Sequence, residues 1–351
     1  MMKIALDCER MKYAHTGLFE YCLQLGKALK KLKASDDEIS YYLSPALQQH
    51  FEPDDNFINQ NSLQKFIFPK IDNIDIWHTT YQLSRYIPKS KRIKRVLTIH
   101  DLNFLHEEKS DAKVKKYLHK HQKNIDACDH IVAISQFTKK EVLQYLNIGN
   151  KPITVIYNGC AEPIPTAVGH KPSYQPEKPF LFALGTVNPK KNFHVLIPLL
   201  ENNGYELVIA GKPDAGYVTK IMEEAEKHGL SSRVKVIGAI DEIDKSWYYK
   251  NCTAFLFPSI AEGFGIPPIE AMKFGKPVFL STTTSLPEIG GAVAYYFKDF
   301  EPISMQTEFA KGMEDYKNNQ PADEIKKHAQ QFNWEDSAKS YLAVYRNTLN
   351  G

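Results

Sequence analysis

Several features are missing from this sequence, and each absence removes a class of protein. Its five cysteines (Cys8, Cys22, Cys128, Cys160 and Cys252) are scattered, odd in number and never in CxxC spacing. That argues against a disulfide framework or a zinc site, and for reduced thiols in a cytosol. No apolar run is long enough to span a bilayer, and the opening stretch MMKIALDCERMKYAHTG carries no apolar core of signal-peptide length. The expected location is cytoplasmic. No GxGxxG follows the first strand-like run, KIALDC, as a nicotinamide-dependent oxidoreductase would require. Nor is there an Asp-x-Asp pair suited to a divalent metal: Asp72–Asp75 reads DNID, the wrong spacing, so no metal is expected. Fixed-period repeats and low-complexity tracts are absent too.

What is present is an ordinary globular composition, 43% hydrophobic and 24% charged, over a length of 351 residues that usually makes two domains. The net charge of +3 hides an asymmetry: residues 1–165 carry 24 Lys and Arg against 19 Asp and Glu, and residues 166–351 carry 20 against 22. Much of the excess lies in Arg85–Arg95 (RYIPKSKRIKR) and in Lys109–Lys123 (KSDAKVKKYLHKHQK). A solvated face accounts for such runs in most proteins. The sharper expectation is peripheral contact of the N-terminal half with an anionic membrane surface, at its inner face, where a lipid-linked acceptor would be reached. Nucleic acid is not expected as a partner, because no aromatic platform interleaves the basic residues.

Strand-like and helix-like segments alternate along the chain. Lys3–Cys8, Ile39–Leu43, Ile74–Thr79, Val96–His100, His130–Ser135 and Ile153–Tyr157 read as strands, with helices at Leu18–Lys33, Ala112–Cys128 and Gln136–Leu146. Alternation of this kind predicts a parallel sheet covered on both faces. Asn158–Pro179 then contains five prolines and no periodicity, which predicts an interdomain linker at about 161–179. A second series follows: Phe180–Leu184, Glu206–Ala210, Val234–Ile237, Thr253–Pro258, Pro277–Leu280 and Ala294–Phe297. The expected fold class is α/β, with Rossmann-like domains at 1–160 and 180–333 whose parallel sheets face a central cleft.

The most informative stretch is Pro258–Ser281, PSIAEGFGIPPIEAMKFGKPVFLS. It opens at the end of a buried-strand run, turns at Gly263-Phe264-Gly265, and places Pro267 and Pro268 where the first turn of a helix tolerates proline. Strand, glycine turn and helix start together expose backbone N–H groups suited to phosphate. Two carboxylates, Glu262 and Glu270, bracket the turn with seven residues between them. A carboxylate beside a phosphate site is electrostatically costly, and a sugar diol would give it a purpose by donating two hydroxyl hydrogen bonds. The pattern points to a ligand carrying both phosphate and sugar.

Glu, seven residues, Glu, with GFGIP after the first and EAM at the second, resembles the signature of glycosyltransferase family 4, retaining enzymes of the GT-B fold. The resemblance covers most of the chain and is strongest from Phe180 to Phe297. It implies that the C-terminal helix, about 334–351, closes back onto the first domain. It further implies that Glu262 holds donor sugar hydroxyls and Glu270 the ribose diol, with Gly263, Phe264 and Gly265 along the donor. In FLFALGTVNPKKNFHVLI, Lys191 matches the lysine that binds the nucleotide diphosphate; Lys190 stands where relatives of this subgroup carry arginine, and Thr186 where many others do. A helix is expected from near Asn192, read as its N-cap. LTIHDLNFLH resembles the family's His-Asp-Leu segment, so His100 is expected beside the donor sugar. Gly17, expected just before the first helix, resembles the second glycine of a Gly-Gly loop against the diphosphate or acceptor. Ser135 and Tyr157-Asn158-Gly159 match segments that close the donor site.

The implied chemistry is transfer of a hexose, by resemblance mannose, from a nucleotide sugar such as GDP-mannose or a UDP-sugar to a saccharide or lipid-linked acceptor. His100, Glu262 and Lys191 are the expected catalytic residues, with no metal and no other cofactor. A glycoside hydrolase would need two carboxylates flanking the sugar, and Glu262 and Glu270 are better explained as donor-binding groups. The remaining alternative is a degenerate transferase that only binds sugar nucleotide or scaffolds a partner.

Overall fold

The computed structural model describes residues 1–14, 16–71 and 73–351. His15 and Asp72, the latter in the DNID stretch, lie outside the described residues. The chain forms two compact units, Met1–Ala161 with Phe332–Gly351, and Glu162–Gln331.

In the first unit the strands are β1 (Lys3–Asp7), β2 (Glu38–Leu43), β3 (Asn56–Asn59), β4 (Ile76–Thr79), β5 (Lys94–Ile99), β6 (His130–Ala133) and β7 (Ile153–Val155). Its first helices are α1 (Gly17–Leu32), α2 (Asp111–Asp126) and α3 (Gln136–Tyr145). The strands make one parallel sheet in the order β3-β2-β1-β4-β5-β6-β7. Both β4 and β6 are buried along their whole length, as parallel strands covered on two faces must be. Strand β3 (NFIN) was not expected: it is a half-exposed edge strand with Asn at both ends, and carries no apolar run. Strand β5 stops at Ile99, so His100 follows the strand rather than ending it.

The second unit holds β8 (Phe180–Leu184), β9 (Glu206–Ala210), β10 (Val234–Gly238), β11 (Ala254–Phe257), β12 (Val278–Ser281) and β13 (Tyr295–Phe297). With them come α4 (Ala215–Lys227), α5 (Glu242–Asn251), α6 (Ile266–Lys273), α7 (Leu286–Gly290), α8 (Pro302–Asn319) and α9 (Ala322–Ala329). The sheet order is β10-β9-β8-β11-β12-β13, parallel throughout. The proline-rich stretch after Ala161 lies on this unit. His170 Nε2 contacts Asp244 Oδ1 at 2.7 Å, and the Tyr174 hydroxyl donates to Glu206 at 2.6 Å.

The last helix, α10 (Trp334–Asn350), belongs to the first unit. Its Tyr341, Leu342, Val344 and Tyr345 join a core with Leu25 and Leu29 of α1 and Ile4 and Leu6 of β1. Beneath that apolar layer runs a polar chain: the Tyr341 hydroxyl meets those of Tyr21 (2.6 Å) and Thr98 (3.0 Å), Thr98 meets His78 Nε2 (2.7 Å), and His78 Nδ1 meets the Tyr345 hydroxyl (2.7 Å). Burial pulls the His78 ring down to about 3, with His100 adding to the effect. A neutral ring that both donates and accepts is what such a chain requires. Among the described residues, no helix is long and apolar enough to cross a membrane.

Candidate active site

In each sheet the chain winds outward from a central strand, then returns to that strand's other side. The switch falls between β8 and β11 in the second unit and between β1 and β4 in the first. Ligands of doubly wound sheets bind at the carboxyl ends of strands at such a point. The β8–β11 switch brings together most of the expected residues.

After β8, Pro189–Lys191 forms a tight 3-10 turn, and Asn192 adopts a left-handed conformation (φ 57°). The expected α-helix capped by Asn192 is absent. Phe193–Leu200 is a 3-10 helix containing Pro198, and the Asn192 side chain makes no capping bond. The proline removes a backbone donor, and seven of these eight side chains are apolar or proline, so burial rather than helix propensity fixes the segment. The turn lies against the loop after β11: Ile260 N–H donates to the Lys190 carbonyl at 2.9 Å.

The Lys191 ammonium donates to Glu262 Oε1 at 2.5 Å, and the two side chains are only 12% and 13% exposed. The Ser259 hydroxyl reaches the same oxygen at 2.5 Å. The Lys191 nitrogen also sits 4.6 Å from the Phe257 ring centroid. Burial pushes the Glu262 carboxyl up, but Lys191 and Lys190 outweigh it and hold the group below the usual carboxylate range. Burial lowers the Lys191 ammonium; Glu262 opposes this and neighbouring Lys190 adds to it. Two lysines thus share one carboxylate, which leaves a surplus of positive charge.

A hydroxyl-rich segment after β12, not recognised from sequence, holds the Glu262 loop. Glu262 N–H donates to Thr284 Oγ1 at 2.9 Å, and Ser285 Oγ lies 3.0 Å from the Glu262 carbonyl and 2.7 Å from that of Phe264. Thr284 has φ 52°, a conformation a β-branched residue rarely adopts. Gly263 and Phe264 are buried, the Phe264 ring included, so Phe264 has only its backbone to offer a ligand. Gly265 has φ 122° and is the N-cap of α6; a Cβ there would stand 3.0 Å from Leu286. Pro267 and Pro268 carry no N–H, so the donors of the first turn of α6 reduce to those of Gly265 and Ile266.

Glu270, within α6, is held on both oxygens: Oε1 accepts from Lys245 at 2.7 Å and Oε2 from the Tyr249 hydroxyl at 2.8 Å. Lys245 also pairs with Glu242 at 2.7 Å. Burial opposes the Lys245 charge, but Glu270 and Glu242 outweigh it and raise the ammonium above the usual lysine range. An ionised carboxylate has about four acceptor sites, so Glu270 keeps capacity for a diol. Lys245 and Tyr249 also escaped sequence reading. Their i,i+4 spacing on α5 was the visible sign, but nothing in it names Glu270 as the partner.

His100 and Gly17 belong to the first unit, at the carboxyl edge of its sheet. His100 Nε2 lies 2.7 Å from the Thr80 carbonyl, and its ring meets Tyr21 edge-on with centroids 4.7 Å apart. A carbonyl only accepts, so Nε2 carries the proton. Burial lowers the ring's pKa, which keeps it neutral with Nδ1 as an acceptor. Gly17 is the first residue of α1, not a residue before it, with Thr16 as N-cap; a Cβ on Gly17 would meet nothing within 4 Å. Ser135 is the N-cap of α3. Among the described residues, no group of three His, Cys, Asp or Glu is placed to hold a metal.

Two all-parallel, doubly wound units in one chain, with paired lysines and a carboxylate at the switch point of the second, define a GT-B-type fold. Residues 170–332 match the family described as Glycosyl transferases group 1, and residues 38–161 match Glycosyltransferase Family 4. The chain has the GT-B fold and is related to these two glycosyltransferase families. It is similar to O-antigen chain mannosyltransferase B of Escherichia coli, 23% identical over 98% of this chain and 100% of that one. It also resembles the serotype-specific mannosyltransferase WbdA of E. coli, 29% identical over 72% of this chain and 33% of that protein. The chain therefore spans about a third of that relative's length. Among solved structures it resembles sucrose-phosphate synthase of Thermosynechococcus elongatus (TM-score 0.76, 17% identity, 99% of each chain). It resembles Anabaena HepE in complex with UDP and glucose as well (TM-score 0.70, 16% identity, 99% of this chain and 100% of that one).

Proposed function

We propose that this chain is a metal-independent, retaining glycosyltransferase. It moves a hexose, mannose being the specific choice, from a nucleoside diphosphate sugar to a saccharide or lipid-linked acceptor in the cytoplasm. The observation that carries this reading is the Lys190–Lys191–Glu262 cluster at the β8–β11 switch point, beside the glycine-opened start of α6. Transfer breaks the bond between the anomeric carbon and the leaving phosphate oxygen, and negative charge grows on the diphosphate. Lys191, Lys190 and the N–H groups of Gly265 and Ile266 stabilise that charge without help from a metal. Glu262 accepts hydrogen bonds from donor sugar hydroxyls, and Glu270, oriented by Lys245 and Tyr249, accepts those of the ribose. His100, neutral with Nδ1 as acceptor, supports the oxocarbenium character of the donor sugar. Attack comes from the leaving-group face, the departing oxygen taking the acceptor proton, so anomeric configuration is retained.

Mannose rests on the names of the curated relatives, whereas HepE was solved with UDP and glucose. A calorimetric and thermal-shift panel of GDP, UDP, ADP and their sugar conjugates, in EDTA, separates the two. One nucleotide is expected to bind and raise the melting temperature, with Glu270→Ala abolishing the response. Anomeric NMR signals of the product then test retention. Absence of any nucleotide binding would move the chain to the alternative of a degenerate, scaffolding member.

A further inference from the structure

Away from the switch points, the first unit carries an unusual surface. Leu63, Phe66 and Ile67 are 73%, 62% and 80% exposed. They are not scattered: the N–H groups of Phe66 and Ile67 both donate to the Leu63 carbonyl, so the three side chains stand on one short helical turn. That turn is fixed from below, where Phe68 and Ile71 pack on Tyr42, Trp77 and Tyr86. A contiguous exposed apolar patch of this kind marks an interaction site.

Its surroundings are basic. Neither 60–71 nor 82–95 contains an Asp or Glu. The two segments form one surface: the Arg85 guanidinium and the Lys65 ammonium each lie 5.1 Å from the Phe66 ring centroid, and Gln60 donates to the Tyr86 hydroxyl at 2.9 Å. A cavity of about 320 Å³ opens between Phe68–Ile71 and Pro88–Ser90, with Lys89 on its wall. Lys91 and Arg92 continue the exposed basic rim.

We infer that this face docks on an anionic lipid bilayer, with Leu63, Phe66 and Ile67 entering the acyl boundary and the surrounding cations held at the headgroup phosphates. Apolar anchors ringed by Lys and Arg match the layered chemistry of a charged membrane surface. A nucleic acid would need an open aromatic face, and cations already approach that of Phe66. The inference concerns the first unit alone and does not depend on glycosyl transfer.

The test is co-sedimentation of the full chain with phosphatidylcholine vesicles, with and without phosphatidylglycerol. Binding is expected only to the anionic vesicles and is expected to weaken at raised salt. The triple substitution Lys89→Glu, Lys91→Glu and Arg92→Glu should reduce binding by at least about a hundredfold, at roughly fivefold per cation. Leu63→Ser, Phe66→Ser and Ile67→Ser together should leave the melting temperature unchanged and also release the protein. In Ile67→Trp, the indole emission should shift to the blue on anionic vesicles and be quenched by brominated acyl chains. Protein that stays in solution with anionic vesicles, or that binds as before after either triple substitution, overturns the inference and leaves the face to a protein partner. Neither triple substitution touches the second unit, so nucleotide binding reports on the transferase reading separately.

Discussion

Lys191 is a nearly buried cation with a second lysine beside it and one carboxylate to answer both. Glu262 supplies the countercharge to Lys191. A diphosphate arriving at the switch point would compete with Glu262 for the same ammonium. Glu262→Gln should therefore have opposite effects on two measurements. Stability should fall by roughly 3 kcal/mol, because a partner of a buried ion pair has been removed. Calorimetric affinity for the bare nucleoside diphosphate should hold or improve, because Lys191 no longer has to leave a carboxylate, while turnover of the full donor should fall by about 10²–10³-fold. Lys191→Met should lose diphosphate affinity and turnover together. A parallel loss of diphosphate binding in Glu262→Gln would show that the glutamate organises the anion site rather than competing for it.

At the scale of elements, α10 and the first sheet are joined through polar contacts as well as apolar packing, and the joint should weaken in acid. His78 sits between Thr98 of β5 and Tyr345 of α10 with its ring held down to about 3. An unfolded histidine titrates near 6.5. Between those values the unfolded chain binds one more proton, so the stabilisation is complete above pH 6.5 and is lost progressively as pH falls toward 3. Between pH 6.5 and pH 5 the loss from His78 alone is about 2 kcal/mol. His100, His121 and His130 are also lowered by burial and add to the slope, so the wild-type curve alone does not isolate His78. His78→Gln keeps hydrogen-bonding capacity and removes the titration. Urea unfolding at stepped pH should show a shallower decline for the variant below pH 6.5. Parallel curves for the two proteins would place the acid sensitivity elsewhere.

Across the whole molecule, the features legible in the sequence were those encoded locally. Strands such as β8 and β9 announced themselves as continuous apolar runs, because parallel strands are buried on both faces. The Glu262–Glu270 stretch was legible because one glycine-opened turn carries both carboxylates. Edge strand β3 was missed because its two apolar residues, Phe57 and Ile58, are too few to make a run, and the 3-10 helix after Asn192 because its apolar content mimics an α-helix. Lys245, Tyr249 and Thr284 were invisible for a different reason. Each meets its glutamate across 21 to 25 residues of sequence, so only the folded sheet pairs them. The same distinction between local and distant encoding governs how the halves should fold. The second unit is one continuous segment, Glu162–Gln331, with its own sheet and its own apolar core. The first needs both ends of the chain: without Phe332–Gly351, Tyr21, Thr98 and His78 lose the hydroxyls of Tyr341 and Tyr345, and the core around Leu25 and Leu29 is left open on one side. Residues 162–331 expressed alone should melt cooperatively by circular dichroism, and on the proposed function should still bind a nucleoside diphosphate in EDTA. Residues 1–161 alone should show no cooperative melt, and a chain ending at Gln331 should lose the transition of its first unit while keeping that of the second. A cooperative melt from residues 1–161 alone would mean that α10 covers a unit already able to fold without it.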